Sequence, residues 1–346
     1  MIDQLAETVR AANANKRPLR IRGSGSKDFF AYKLEGEPLE LAGYRGVVDY
    51  EGTELVITAR AGTPLTEIEK TLAEGGQMLA CEPPHFGPNA TLGGCVASGF
   101  SGPRRATSGS VRDFVLGVKT MNANGEIASF GGQVMKNVAG FDLSRLMTGS
   151  FGTLGVILEV SLKVLPRPER EITLRYALDE AKAIETMNRW AGQPLPISAT
   201  CFIDGTLSVR LSGSALGLSA ARAKMGGEVV VDADSFWLDL REQKLDAFTG
   251  NMLWRLSIAS TAPPLKLPGK QVIEWNGALR WLVSDAPAEA IFAAARKAGG
   301  DAMRFRGSLG HPVLQLDGVK LGLHKRLKAA LDPNGIFGPH RLHPEF

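Results

Sequence analysis

The chain has 346 residues, room for two domains at about 100–200 residues each. A hydrophobic content of 44%, a charged content of 22% and a net charge of +4 are ordinary for a soluble globular protein and too weakly basic to argue for a nucleic-acid partner. Three cysteines, Cys81, Cys95 and Cys201, form no C-x-x-C or Cys/His set, so no zinc or iron–sulfur pattern is read and reduced thiols in the cytoplasm are expected.

Residues 1–18, "MIDQLAETVRAANANKRP", predict an amphipathic helix with acidic residues early. They lack the basic and then apolar regions of a signal peptide. No stretch approaches the ~18 uncharged apolar residues of a membrane span. "PLRIR" then reads as a strand, and "GSGSKDFF" (23–30) follows it directly. A glycine loop after a strand suits a phosphate, but the dinucleotide fingerprint G-x-G-x-x-G needs a third glycine where this chain has Asp28, and a helix where it has none. The loop is therefore phosphate-capable but not of Rossmann type. "ELVITARAG" (54–62) predicts a strand. "TPLTEIEKTLAEGG" (63–76) predicts a helix, with Thr63 at the N-cap, Pro64 at N1, and Leu65, Ile68 and Leu72 on one face.

Residues 87–155 hold 14 of the 40 glycines, a density that points to close backbone approach. In "ATLGGCVASG" small residues follow Gly93 and Gly94, a run that lets a helix start lie flat against an anion. "DFVLGVKTM" reads as a buried strand, "NANG" (122–125) as a hairpin turn and "EIASFGG" as the returning strand. "GTLGVILEVSLKVLPRP" (152–168) is a strand closed by prolines, and a domain boundary is placed there. Residues 169–320 then alternate strands and helices without phosphate-type loops. Helices are expected over 179–191, 215–225 and 286–300, with strands near "ATCFI", "LSVRLSG", "LWRLSIAS" and "GALRWLVS". Trp254, Trp275 and Trp281 in this region either fill its core or anchor an interface. Residues 321–346 read as a helix and a turn-rich tail returning to the first domain.

These motifs in this order resemble the FAD-binding, vanillyl-alcohol-oxidase-type (PCMH) flavoproteins. The carriers are "GSGS", "ATLGG", "SVRDFVLGV", "GQVMKNVAGFDLSRLMTGSFGTLG" and the terminal "LDPNGIFGP". Within that family the chain is similar to the D-2-hydroxyacid dehydrogenase group, and the long block most resembles the FAD-binding E-type subunits of bacterial glycolate oxidases. The resemblance implies an α+β fold: a PCMH-type domain of two α+β subdomains over 1–168, then a smaller α+β cap with an antiparallel sheet over 169–320.

It also implies two loops that clamp the FAD diphosphate. The first maps onto Arg22, Gly23, Ser24, Gly25, Ser26 and Lys27; the second onto Pro84, Thr91, Gly93 and Gly94. Ala97, Ser98, Ser108, Gly109, Arg112 and Asp113 fall on the isoalloxazine side, and Gly155, Val156 and Ile157 beside the adenine. Asp113 has a second reading as a cap of the strand that follows it. Relatives with covalent flavin carry a histidine where this chain has Ser26 and Lys27, so non-covalent FAD is expected. Cys95 is read as a small buried thiol rather than a flavin attachment.

Catalytic relatives use a histidine-rich, metal-bound cluster. The five histidines here, His85, His311, His324, His340 and His343, form no such set, and no metal is expected. His311 is the remaining base candidate. Arg104 and Arg105 either pair with a substrate carboxylate or stay solvated. The expected function is thus an FAD-binding subunit of a complex that oxidises glycolate to glyoxylate. A D-type flavoprotein and an F-type iron–sulfur subunit would be its partners, and any attachment to the inner membrane would be made through them. Two alternatives stay open: a stand-alone FAD-dependent D-2-hydroxyacid dehydrogenase, and a non-catalytic scaffold of flavoprotein descent.

Overall fold

The computed structural model describes residues 1–132, 143–308 and 313–346. The chain divides into two compact units. The first holds Met1–Ser101, Ser110–Pro166 and the tail Leu309–Phe346; the second holds Gly102–Gly109 and Arg167–Ser308.

The first unit is built on a five-stranded antiparallel sheet in the order Val47–Glu51, Val56–Arg60, Val156–Lys163, Val115–Met121, Ile127–Gly131. The last two strands meet in the "NANG" hairpin, where the Gly125 amide donates to the Asn122 carbonyl at 3.0 Å and Gly125 adopts φ +71°. Helix Leu65–Glu74 buries Leu65, Ile68 and Leu72 against Ile57, Val160 and Leu162 of the sheet. Each such side chain contributes about 1.5–3 kcal/mol through burial. Pro64, not Thr63, occupies the N-cap of this helix. The Thr63 hydroxyl turns instead to Gly46, accepting from its amide at 2.9 Å, so tertiary pairing overrides the local cap. A second core joins helix Ile2–Ala14, through Leu5, Val9 and Ala12, to Leu19, Leu39, Met121, Leu158 and Phe337.

The tail re-enters this unit beside the first glycine loop. After helix Gly318–Leu331, the Leu19 amide donates to the Ile336 carbonyl at 2.6 Å and the Gly338 amide to the Leu19 carbonyl at 2.8 Å. A buried ion pair fixes the return. The Lys328 ammonium donates to Asp332 Oδ2 at 2.6 Å, to the Thr153 carbonyl at 2.7 Å and to the Phe337 carbonyl. The Asp332 carboxylate accepts in turn from the amides of Ile336 and Phe337. Burial pushes the Lys328 pKa down, against the pull of Asp332.

The second unit carries an eight-stranded sheet in the order Glu228–Val230, Arg170–Ala177, Thr206–Gly213, Ile197–Ile203, Lys270–Glu274, Leu279–Val283, Leu253–Ser257, Asp301–Arg306. Every pairing in it is antiparallel, as expected for this fold class. Helices Glu180–Ala191 and Ala215–Met225 pack on Leu174, Val209 and Leu211. Helix Ala288–Lys297 packs Ile291 and Ala295 on Trp254, Leu256 and Leu282. Trp254, Trp275 and Trp281 are all buried, which assigns them to the core of this unit. Gly102–Gly109 is held to it by the Trp275 Nε1–H bond to the Gly102 carbonyl at 3.0 Å and by the Thr107 hydroxyl bond to the Ser198 carbonyl at 3.0 Å. Among the described residues no helix is long and apolar enough to cross a membrane.

Candidate functional site

A cavity opens in the first unit where the two glycine loops meet. Gly23–Asp28 follows strand Leu19–Arg22 and forms one wall; Thr91–Ser98 forms another. The loops are pressed together so closely that a Cβ on Gly23 would lie 2.3 Å from Thr91 Oγ1. Gly25, at φ +76°, turns the first loop back, and its own Cβ would meet the Arg22 guanidinium at 2.5 Å. Among the described residues the amides of Gly23, Ser24 and Gly25 donate to nothing. Three successive unpaired N–H groups beside a left-handed turn form a concavity suited to an anion.

The second loop works differently. The Gly93 amide donates to the Ala61 carbonyl at 2.7 Å, and the Gly94 amide to Thr91 Oγ1 at 3.2 Å. These glycines provide room rather than free donors: a Cβ on Gly93 would sit 2.7 Å from the Ala61 Cβ. The floor is Phe151 and Gly152, both at positive φ, with the Phe151 amide bonded to the Ala97 carbonyl at 2.8 Å. Leu41, Ala61 and Ile157 line an apolar part that suits a flat aromatic ring. Glycine-lined room, unpaired amides and an apolar wall together fit a dinucleotide such as FAD.

Residues 1–131 match the FAD binding domain family. The chain is 50% identical over 342 residues to glycolate oxidase subunit GlcE of Escherichia coli, covering 99% of this chain and 97% of that one. The chain belongs to the GlcE family of FAD-binding oxidoreductases. It is also 29% identical to glycolate oxidase subunit GlcD of Bacillus subtilis and 31% identical to a D-lactate dehydrogenase of Anaerostipes hadrus. Each of those matches spans 50% of this chain and little more than a third of the relative, 37% and 36%. In fold it is similar to alkyldihydroxyacetonephosphate synthase, with a TM-score of 0.67 at 16% identity over 97% of this chain and 74% of that one. The PCMH-type architecture is thus that of the GlcE-family chain.

Of the residues singled out from the sequence, Arg22, Gly23, Ser24, Gly25, Ser26, Lys27, Thr91, Gly93, Gly94, Ala97, Ser98, Gly155 and Ile157 line the cavity of this GlcE-family protein. Lys27 is tied down within that wall. Its ammonium is buried, donates to the His85 carbonyl at 3.2 Å and lies 5.8 Å from the Phe86 ring. His85 itself holds Glu69 at 3.1 Å. Pro84 and Val156 are buried outside the lining. Arg112 and Asp113 are exposed, and Asp113 caps a short turn by accepting from the Ser110 amide and hydroxyl, both at 2.8 Å. Ser108 and Gly109 belong to the second unit.

Arg104 and Arg105 do so too, and both are engaged there. Arg104 donates to Glu171 at 2.5 Å and to Ser212 at 3.2 Å; Arg105 lies 4.4 Å over Trp275. Burial opposes the charge on Glu171, but Arg210 and Arg104 hold its carboxyl below the usual range. His311, and residues 133–142 of the quoted block, lie outside the described residues. Cys95 is buried, and that burial pushes its thiol up to about 12. Among the described residues no group of three or more His, Cys, Asp or Glu is placed to hold a metal.

Sequence reasoning missed Asp28 as a bridge, and missed Arg341 altogether. Asp28 sits 3.3 Å from Arg22 and 3.7 Å from Arg341, which comes from the tail and lines the same cavity. The one signal for Asp28 was its place where a Rossmann loop carries glycine; nothing in the order of residues pointed to Arg341.

Proposed function

We propose that this chain is the non-covalent FAD-binding subunit of a complex that oxidises a 2-hydroxy acid, glycolate to glyoxylate. Its partners would be a D-type flavoprotein and an F-type iron–sulfur subunit. In this reading residues 1–168 are the FAD domain, 169–320 the cap and 321–346 the returning tail. The protein is cytoplasmic, with any membrane attachment made through the partners.

The observation that carries the reading is the cavity of paired glycine loops in a chain 50% identical to GlcE over 99% of its length. The free amides of Gly23–Gly25 would hold the diphosphate, and the Leu41, Ala61 and Ile157 wall would exclude water from a ring. Bound FAD supplies a two-electron acceptor for the hydride on the hydroxyl-bearing carbon. Non-covalent attachment is supported by Ser26 and Lys27 beside the cavity and by a Cys95 thiol kept protonated by burial. Dependence on partners is supported by the carboxylate that lines the cavity, Asp28, lying between the Arg22 and Arg341 guanidinium groups at 3.3 and 3.7 Å.

The test is a spectrum followed by turnover. The purified chain should be yellow and release FAD on acid or heat. Alone it should show negligible glycolate:dye activity, and adding the two partners should restore it. Turnover by the lone chain at the median enzyme rate, about 10 per second, would select the stand-alone dehydrogenase. A colourless chain that takes up no FAD would select the scaffold.

A further inference from the structure

We infer that Arg341, delivered by the C-terminal tail, is a ligand of the cofactor's diphosphate. The inference rests on the FAD reading above and assigns a residue that lies outside the glycine motifs and outside residues 1–131, which match the FAD binding domain family. Arg341 lines the cavity beside the first loop and is 7% exposed. Its contacts there are long: a terminal nitrogen is 3.3 Å from the Lys27 carbonyl and 3.7 Å from Asp28 Oδ1. Its Nε–H is buried with no partner. Burial pushes its pKa down, with Asp28 acting in the opposite sense. A buried guanidinium with an unspent donor is costly unless an anion meets it.

The other cations of the cavity are already committed. Arg22 is shared between Asp28 at 3.3 Å and Glu40 at 3.2 Å, and Lys27 is spent on the His85 carbonyl. The diphosphate is the anionic part of FAD, the unpaired amides of Gly23–Gly25 face the same space, and a guanidinium fork matches phosphate oxygens two at a time. The backbone holds Arg341 in place independently of any ligand. The Tyr32 amide donates to the Arg341 carbonyl at 2.6 Å, and the Arg341 amide to the Gly338 carbonyl at 3.2 Å. The neighbouring His340 pairs with Glu35 at 2.9 Å.

The test titrates the full chain, freed of flavin, with FAD, ADP and riboflavin. ADP carries the diphosphate without the ring, and riboflavin the ring without the diphosphate. Arg341→Gln should weaken both ADP and FAD by about 10–100-fold, the worth of one charge-assisted contact, and leave riboflavin within about twofold. Arg341→Lys, which keeps the charge without the fork, should fall between. If the Gln variant does not fold, the Lys variant decides by the same ADP-to-riboflavin contrast. An equal loss for all three probes would mean a loosened tail and overturn the inference. Unchanged ADP affinity in a chain that still binds FAD would overturn it alone. A wild-type chain that takes up no FAD would overturn the cofactor reading with it.

Discussion

Gly23→Ala tests whether the contact between the two loops governs cofactor affinity. The added methyl would lie 2.3 Å from Thr91 Oγ1 and 3.1 Å from its Cγ2, about 1 Å inside ordinary van der Waals contact. Thr91 cannot swing aside. It is 4% exposed, β-branched, and its hydroxyl holds the Gly94 amide at the start of helix Leu92–Ser98. The loops must therefore part by about 1 Å, enough to break hydrogen bonds from the Gly23–Gly25 amides to a bound diphosphate. Losing two charge-assisted bonds at about 1.5–3 kcal/mol each lowers FAD affinity by roughly 10²–10⁴-fold.

Flavin fluorescence quenching on titration of the flavin-free chain reads this directly. The double variant Gly23→Ala/Thr91→Ala removes the nearest atoms and leaves Thr91 Cβ at 3.2 Å. It should bind FAD more tightly than Gly23→Ala alone, even though Thr91→Ala by itself costs about 1 kcal/mol of capping. Wild-type affinity in Gly23→Ala, or strictly additive losses in the double variant, would refute the reasoning.

Lys328→Met leaves Asp332 buried and unpaired, so it should destabilise the first unit by about 3–5 kcal/mol; a thermal midpoint within 1 °C of wild type would contradict that (one kcal/mol shifts it by about 2–4 °C in chains of 150–250 residues). Glu171 has a depressed pKa, so the stability it contributes is present above the ordinary carboxylate value and is lost as pH falls through its lower folded value. Unfolding of the second unit followed by denaturant from pH 6 down to pH 3 should show this acid loss. Glu171→Gln should flatten it, and an unchanged pH profile in that variant would remove Glu171 from the account.

The first loop, the second loop and the "NANG" hairpin were legible because each is a local event: a glycine or an Asn-Gly pair fixes the turn whatever surrounds it. Strands Lys270–Glu274 and Asp301–Arg306 were not, being short, partly charged and defined by neighbours far along the chain. Thr63 was misplaced as a cap because Gly46, seventeen residues earlier, competes for its hydroxyl. Gly93 and Gly94 were found for a reason that holds only in part, since the fold spends their amides internally and uses their missing side chains. Asp113 falls on the flavin side by resemblance alone; in the fold its carboxylate accepts from the Ser110 amide, three residues before it. Arg341 was invisible because a lone arginine in a tail carries no periodic or motif signal.

The cavity is walled at one side by residues 23–28 and at another by a residue 314 positions after Lys27. During synthesis the glycine loop leaves the ribosome early, and its wall stays incomplete until residue 341 has followed it. A cavity completed this late would take up flavin once residue 341 is in place rather than as the glycine loop emerges. Disruption of residues 336–341 would be felt first as poor flavin loading, because that segment completes the cavity wall without belonging to either large sheet.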